Sequence, residues 1–307
     1  MPYPNIDPVF LRLGPLQFRW YGLMYLLALT AAYFVIKGRS AARGVKITKD
    51  QLYDLIVYSA VGVFLGGRLG YVLFYNLPYY LDHPSKIIAV WEGGMSFHGG
   101  LLGTILAILL FCRRRGLPPY TVADMAAVAV PIGLGLGRIG NFINGELYGR
   151  ITKVPWAMQF PKELFDHPQE TERAAAACAS IDPSLTTPDA IVSAARSQPR
   201  VVNALRPILS PRHPSQLYEA FFEGIVLFAI LWWVRTRARQ PNGVLTGLFF
   251  ICYAVFRIVI ENFREPDAEL IGPFTRGQFF SFFLIAIGAA FIVAARMKPA
   301  YPKNIRA

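Results

Sequence analysis

A chain of 307 residues with 54% hydrophobic and only 16% charged side chains falls outside the usual soluble range, where about 25% are charged. Its mean hydropathy is +0.38, and its apolar runs reach the roughly 20 residues a bilayer span needs, which weighs against one large soluble α/β protein. In a soluble protein a net charge of +12 would point to nucleic acid; here the basic residues sit in short loops between apolar runs and read as orientation charge, so no nucleic-acid partner is expected.

Taken in order, the runs predict seven spanning helices, at Phe18–Ile36, Leu52–Tyr75, Met95–Cys112, Thr121–Ile143, Ser215–Val234, Gly243–Ile260 and Gln278–Ala295. The expected fold class is an all-α polytopic membrane protein. Met1–Leu16 lacks the basic start of a signal peptide, so the first run is expected to be retained. Basic clusters follow the first run (Lys37, Arg39, Arg43, Lys46, Lys49), the third (Arg113, Arg114, Arg115), the fifth (Arg235, Arg237, Arg239) and the seventh (Arg296, Lys298, Lys303, Arg306). In an alternating seven-span chain all of these fall on one side, the cytoplasmic one. The N-terminus is then outside and the C-terminus inside.

The opposite connections are Asn76–Gly94, Phe263–Gly277 and a segment far longer than a normal loop, 145–214. The chain divides accordingly into 1–144 (helices one to four), 145–214 (a small extracytoplasmic head) and 215–307 (helices five to seven and a cytoplasmic tail). Within the head, Trp156–Pro161 reads as a short strand. An Ala-rich stretch, Arg173–Ser180, and prolines at 183, 188, 199, 207 and 211 read as an irregular, partly helical insertion. The cysteines, Cys112, Cys178 and Cys252, form no CxxC, so neither a zinc site nor a disulfide framework is expected.

Glycines recur at every fourth position: Gly62, Gly66 and Gly70 on the second run, Gly99 and Gly103 on the third, Gly133 and Gly137 on the fourth. Such spacing lets helices approach closely in lipid.

Ionisable groups inside apolar runs are functional candidates by default, because a charge at a helix centre costs about 2.5–3.5 kcal/mol on insertion scales. They are Asp54, Arg68, His98, Asp124, Arg138, Glu219, Glu223, Arg257 and Glu261. Asp54 and Asp124 lie near helix ends and read as structural; Glu219 and Glu223, spaced i,i+4, read as balancing basic groups. Arg138 stands in a Gly-rich stretch, Gly137–Arg150, with Asn141, Asn144 and Glu146. Arg257, Glu261 and Arg264 share a helix face, so Glu261 can hold one or both arginines. Two guanidiniums in a cavity, those of Arg138 and Arg257, form a phosphate clamp, since the planar fork matches phosphate oxygens. His98, flanked by Gly93, Gly94, Gly99 and Gly100, is a candidate proton acceptor, with Tyr21 at the same outer level. No GxSxG, SxxK, HExxH or P-loop pattern is present, which argues against a serine hydrolase, a zinc protease and an NTPase.

Six stretches then carry a resemblance. They are Trp20–Tyr25, Gly66–Tyr71, Gly94–Gly100, Gly137–Arg150, Arg212–Glu219, and Phe256-Arg257 through Glu261, Arg264, Pro266 and Asp267. In order and over nearly the whole chain they resemble the prolipoprotein diacylglyceryl transferases of bacterial membranes; 170–209 fits no pattern. The resemblance implies the first step of lipoprotein maturation, in a bacterial cytoplasmic membrane. The diacylglyceryl group of phosphatidylglycerol passes to the lipobox cysteine of a prolipoprotein signal peptide, forming a thioether and releasing glycerol 1-phosphate, with no cofactor or metal. It ties Arg138 to phosphatidylglycerol binding and matches Asn141, Glu146 and Gly149 to functionally sensitive positions. The expected catalytic residues are His98, Arg138 and Arg257. The expected substrate-binding residues are Arg138, Tyr21, Asn141, Glu146, Gly149, Glu261 and Arg264. Whether His98, Tyr21 or an arginine is the base stays open at this level. An anion or lipid transporter would call for inverted repeats, which the sequence lacks. A non-catalytic lipid-binding scaffold would leave the Gly-flanked His98 without a purpose.

Overall fold

The computed structural model describes residues 1–14, 16–38, 47–237, 240–266 and 269–297. Arg39, Arg43, Lys46, Arg239, Asp267, Lys298, Lys303 and Arg306, named above, lie outside the described residues.

The chain opens with an antiparallel hairpin, β1 (Val9–Leu13) and β2 (Leu16–Arg19), in which Leu11 pairs with Phe18 and Arg12 with Gln17. The expected first helix begins at Phe18, inside β2, although Leu16-Gln17-Phe18-Arg19 alternates apolar and polar residues, the period-two pattern of a strand. The hairpin delays the first helix, α1, to Trp20–Lys37. Helix α2 (Lys49–Phe74) starts earlier than the apolar run alone indicates. Thr48 and Gln51 close a capping box: the Thr48 hydroxyl accepts from the Gln51 amide and the Gln51 side chain from the Thr48 amide. The connection after it holds a short helix, α3 (Leu77–Asp82), and two 3₁₀ turns.

Helix α4 (Phe97–Arg115) packs against α2 with glycines of both helices at the closest approach. A Cβ on Gly66 would stand 2.3 Å from the Gly99 carbonyl oxygen, and one on Gly103 2.2 Å from that of Gly62. At Gly133 and Gly137, by contrast, a Cβ would make one ordinary contact and none within 4 Å. Helix α5 (Pro119–Asn144) carries Pro131 in its interior. Asp124 on α5 accepts from the Gly243 amide (3.0 Å), the Thr246 amide (2.8 Å) and the Thr246 hydroxyl (2.8 Å), capping a later helix. Asp54 pairs with Arg115. Both aspartates are therefore structural.

Between α5 and the next apolar helix lie α6 (Pro168–Cys178), α7 (Pro188–Ser197) and α8 (Pro199–Leu205), each entered through a proline, which suits a first helical turn. They share a core of Leu164, Ala174, Cys178, Ile191, Val201 and Leu205. The strand expected at Trp156–Pro161 is absent: Trp156 lies in a turn, while Met158 and Gln159 make only isolated bridges, to Arg212 and Pro2. Pro155 and Pro161 bracket the segment and withhold the amides a ladder needs.

Helix α9 (Ser215–Arg237) contains a π-helical stretch, Ala220–Val226; α10 (Val244–Ile260) and α11 (Arg276–Met297) follow. Among the described residues, six helices (α1, α2, α4, α5, α9 and α11) are long and apolar enough to cross a bilayer, and α10 is a shorter apolar helix of 17 residues. The chain is a mostly helical, polytopic membrane protein. Its contacts group into two compact units. One holds Met1–Ala28, Val130–Val234 and Gly247–Ala290; the other holds Leu29–Ala129, Arg235–Thr246 and the chain from Phe291 on.

Candidate active site

The first unit gathers most of the residues singled out above. Helix α5 ends at Gly145, whose φ of +69° gives the left-handed turn that stops a helix without steric cost. The Tyr3 hydroxyl donates to the last-turn carbonyls of Phe142 and, at 2.7 Å, Ile143. Burial pushes the Tyr3 phenol up, so it stays a neutral donor. The chain then turns through Leu147 with φ +57°, a conformation that costs a non-glycine residue about 1–3 kcal/mol and persists only where neighbours enforce it.

The enforcing neighbours come from the start of α9 and the segment before it. Gln216 Nε2 donates to the Glu146 carbonyl (2.6 Å) and the Ser215 hydroxyl to that of Leu147 (3.1 Å). The Gly149 amide donates to the His213 carbonyl (2.8 Å), and the His213 amide to that of Arg150 (3.0 Å). Past the end of α10, the Phe263 carbonyl accepts from the Arg150 amide (2.9 Å) and the Arg264 carbonyl from Arg150 Nε (2.8 Å). Gly149 sits where the three segments meet: a Cβ there would lie 2.4 Å from the Phe263 oxygen and 2.7 Å from His213 Cβ. Any side chain at this position would therefore collide with its neighbours.

A second network fixes the far side of this junction. Arg212, buried, pairs with Glu163, with Glu265 (3.0 Å) and with the Gly149 carbonyl (3.3 Å), and its guanidinium lies 4.8 Å over the Tyr148 ring. Burial and the bond to Asp166 push the Tyr148 phenol up, while burial pushes the His213 imidazole below its usual value.

The junction delivers three arginines to one carboxylate. Glu219 Oε1 lies 3.4 Å from Arg138 Nη2, 3.1 Å from Arg264 Nη1, and accepts from Arg257 Nη1. Glu261 Oε2 lies 3.0 Å from Arg257 Nε and 3.9 Å from Arg264 Nε, so it holds both. Glu223 is 3.6 Å from Arg257 and 3.8 Å from Arg138. The side chains of Glu219 and Glu223 are wholly enclosed, whereas Arg138 and Arg257 keep 18% and 14% of theirs open. The approach of α5 to α9 that makes these contacts is set by glycine on both sides. A Cβ on Gly224 would stand 2.8 Å from Gly135 Cα, one turn before Arg138. Glu223 and Gly224 both lie in the π-helical stretch, a rare conformation that occurs frequently at functional sites.

Around this centre, Glu146 accepts from Asn141 Nδ2 (2.9 Å) and Asn144 Nδ2 (3.1 Å), with Lys162 Nζ 3.8 Å away. Tyr21 packs on Gly140, where a Cβ would meet its ring at 2.8 Å, and against Tyr25, ring centres 5.3 Å apart. Of the predicted site, Arg138, Arg257, Glu261 and Arg264 form one cluster, Asn141 and Glu146 a hydrogen-bonded pair, and Gly149 the junction.

His98 belongs to the second unit. It is the second residue of α4, exposed, edge-on to Phe97. Ser96 caps the helix, accepting from the Gly99 amide (3.1 Å). The loop before it hangs on Arg68, which donates to the carbonyls of Lys86 (2.6 Å), Ile87 (2.7 Å), Ala89 (3.2 Å), Gly93 and Gly94 (3.0 Å). The sequence marks Arg68 only as a charge in an apolar run; nothing in its spacing names backbone partners. Ser215 and Gln216 were likewise invisible as site residues, because they act through the carbonyls of a distant turn.

Chemically, the three guanidiniums meet one buried carboxylate, and the planar fork of each is also the geometry that pairs with phosphate oxygens. A family model described as prolipoprotein diacylglyceryl transferase matches residues 8–294. The chain is similar to the phosphatidylglycerol–prolipoprotein diacylglyceryl transferase of Geobacter sulfurreducens, 48% identical over 301 residues that cover 96% of this chain and 98% of that one. It is also 43% identical over 307 residues to the protein of that name from Bordetella avium, covering 98% and 100% of the two chains. With the Azotobacter vinelandii protein it shares 43% identity over 304 residues, 98% of each. The chain therefore belongs to the prolipoprotein diacylglyceryl transferase family.

Proposed function

We propose that this protein transfers the diacylglyceryl group of phosphatidylglycerol to the lipobox cysteine of prolipoprotein signal peptides. The observation that carries the reading is the convergence of Arg138, Arg257 and Arg264 on a single carboxylate oxygen, in a member of this family. In the reaction the cysteine sulfur attacks the glyceryl carbon that bears the phosphate, a C–S bond forms, and the C–O bond to phosphate breaks. The thiol proton passes to a base. Glycerol 1-phosphate leaves, its phosphate richer by one negative charge. Arg138 and Arg257, the partly open members of the cluster, bind the phosphate and stabilise that growing charge. Glu261 and Arg264 hold the clamp in place, Asn141 and Glu146 order the end of α5 beside it, and Tyr21 lines the same helix.

A thiol with a reference pKa near 8.5 needs a base at neutral pH, and His98 is the side chain suited to it. Its exposure and the glycines around it leave the ring accessible to a substrate. The membrane arrangement we propose has seven spans, with the 17-residue α10 as the sixth. The N-terminus and the 145–214 head lie outside, and the C-terminus lies inside a bacterial cytoplasmic membrane. The four basic clusters support this orientation.

The test is purified protein in detergent with phosphatidylglycerol and a lipobox peptide. Glycerol phosphate release that depends on the peptide thiol is expected. Release that ignores the thiol, or none, overturns the reading.

A further inference from the structure

Among the described residues the arginine cluster is charge-balanced, and this has a consequence for an anionic lipid; the inference rests on the phosphate-binding role proposed above. Among the described residues, Arg138, Arg257 and Arg264 face Glu219, Glu223 and Glu261, three cations against three anions, and the carboxylates are at most 2% exposed. A phosphodiester brings one further negative charge. Ionisable groups that would be left buried without compensation change protonation instead.

The geometry selects which carboxylate does so. Glu219 Oε1 is shared by all three arginines, and Glu261 Oε2 is 3.0 Å from Arg257 Nε. Glu223 is the least compensated. Its nearest guanidinium nitrogens are 3.6 and 3.8 Å away, and both of its oxygens are buried without a hydrogen-bond partner. The charged and titratable groups facing it are Arg138 from α5, Glu219 from its own helix, Tyr253 and Arg257 from α10, and Arg264 beyond α10; Glu261 lies behind Arg257. A phosphate that takes donors from Arg138 and Arg257 removes the two cations closest to Glu223. We propose that binding of phosphatidylglycerol is coupled to uptake of one proton from solvent by Glu223, whose neutral carboxyl offsets the charge of the phosphate.

The experiment is calorimetry of the full-length protein with an ether-linked phosphatidylglycerol and no peptide, in buffers of different ionisation enthalpy, from pH 6 to pH 9. Wild type should take up a proton on binding, with uptake approaching one per lipid at the pH values where Glu223 is ionised in the free protein and falling away at lower pH, and over that upper range its affinity should weaken by up to about tenfold per pH unit. Glu223→Gln should take up none and bind with an affinity independent of pH. Infrared difference spectra of the wild type supply a second readout that needs no variant. A protonated-carboxyl band should appear on binding, and the ether lipid contributes no ester carbonyl to mask it. Wild-type binding with no proton uptake and no such band overturns the proposal, as does uptake that persists in Glu223→Gln. Failure of the wild type to bind the lipid at all overturns the phosphate-binding role itself.

Discussion

At the scale of single residues, the arginines are set apart from lysine by how they are held. Arg257 uses Nη1 on Glu219 and Nε on Glu261, two directions at once. An ammonium is a point charge on a flexible stem and cannot reproduce that fork. Losing one buried charged contact costs on the order of 2–5 kcal/mol, which at about 1.4 kcal/mol per decade is at least tenfold in rate or affinity. Arg138→Lys is expected to weaken lipid affinity and turnover together, since Arg138 follows the glycine-set contact of α5 with α9. Arg257→Lys should weigh more on turnover, because Glu261 fixes it for the leaving phosphate. Lipid affinity and rate for each variant, with folding checked separately, decide this; near wild-type values in both would reduce the arginines to bundle charge. For His98 the expectation is a split. His98→Gln should retain phosphatidylglycerol binding while turnover falls by roughly 10²–10⁴-fold, the usual worth of a positioned base. Full activity of that variant across neutral pH would move the role to Tyr21 or an arginine.

At the scale of elements, the same glycine spacing means different things on different helices. Gly62, Gly66, Gly99 and Gly103 meet backbone across the α2–α4 pair, with no room for a methyl group. Gly137 has open space where its Cβ would be. Gly66→Val or Gly103→Val should therefore lower thermal stability sharply or abolish folding, whereas Gly137→Ala should leave the melting temperature close to wild type. Equal losses at Gly66 and Gly137, measured in the same detergent, would contradict the packing described. The contrast also shows what the sequence could convey. Spacing marks a face that can approach a neighbour, but not whether a neighbour is there. The clustering of Arg257, Glu261 and Arg264 was legible because one turn of helix fixes it. The convergence of Arg138 on Glu219 was not, because it depends on Gly135 meeting Gly224 and on a π-helical stretch that no residue pattern announces. The junction at Gly149 was legible only as a glycine-rich run; its partners, His213 and Phe263, lie far along the chain.

At the scale of the whole molecule, membrane character followed from composition, while the interior of the 145–214 segment did not. Its prolines looked like disorder of pattern, yet Pro168, Pro188 and Pro199 each open a helix, and the three helices bury a core of their own. That segment offers the cleanest test of orientation. Ser184 is exposed, between α6 and α7, while Cys178 is fully buried in the local core and should not compete for a labelling reagent. In right-side-out membrane vesicles, a membrane-impermeant maleimide should label Ser184→Cys at once. Arg113→Cys, at the exposed end of α4 within a basic cluster, should label only after the vesicles are opened. The basis is electrostatic: the Lys/Arg-rich loops are retained on the cytoplasmic side, and a chain with seven crossings then puts 145–214 on the other face. If α10, at 17 residues, failed to cross, the tail after α11 would change sides while Ser184 would not. A further cysteine at Ala307 therefore separates the two cases, and is expected to stay protected in sealed vesicles. Labelling of Ser184→Cys only after opening would reverse the orientation; labelling of both Ser184→Cys and Ala307→Cys in sealed vesicles would remove one span.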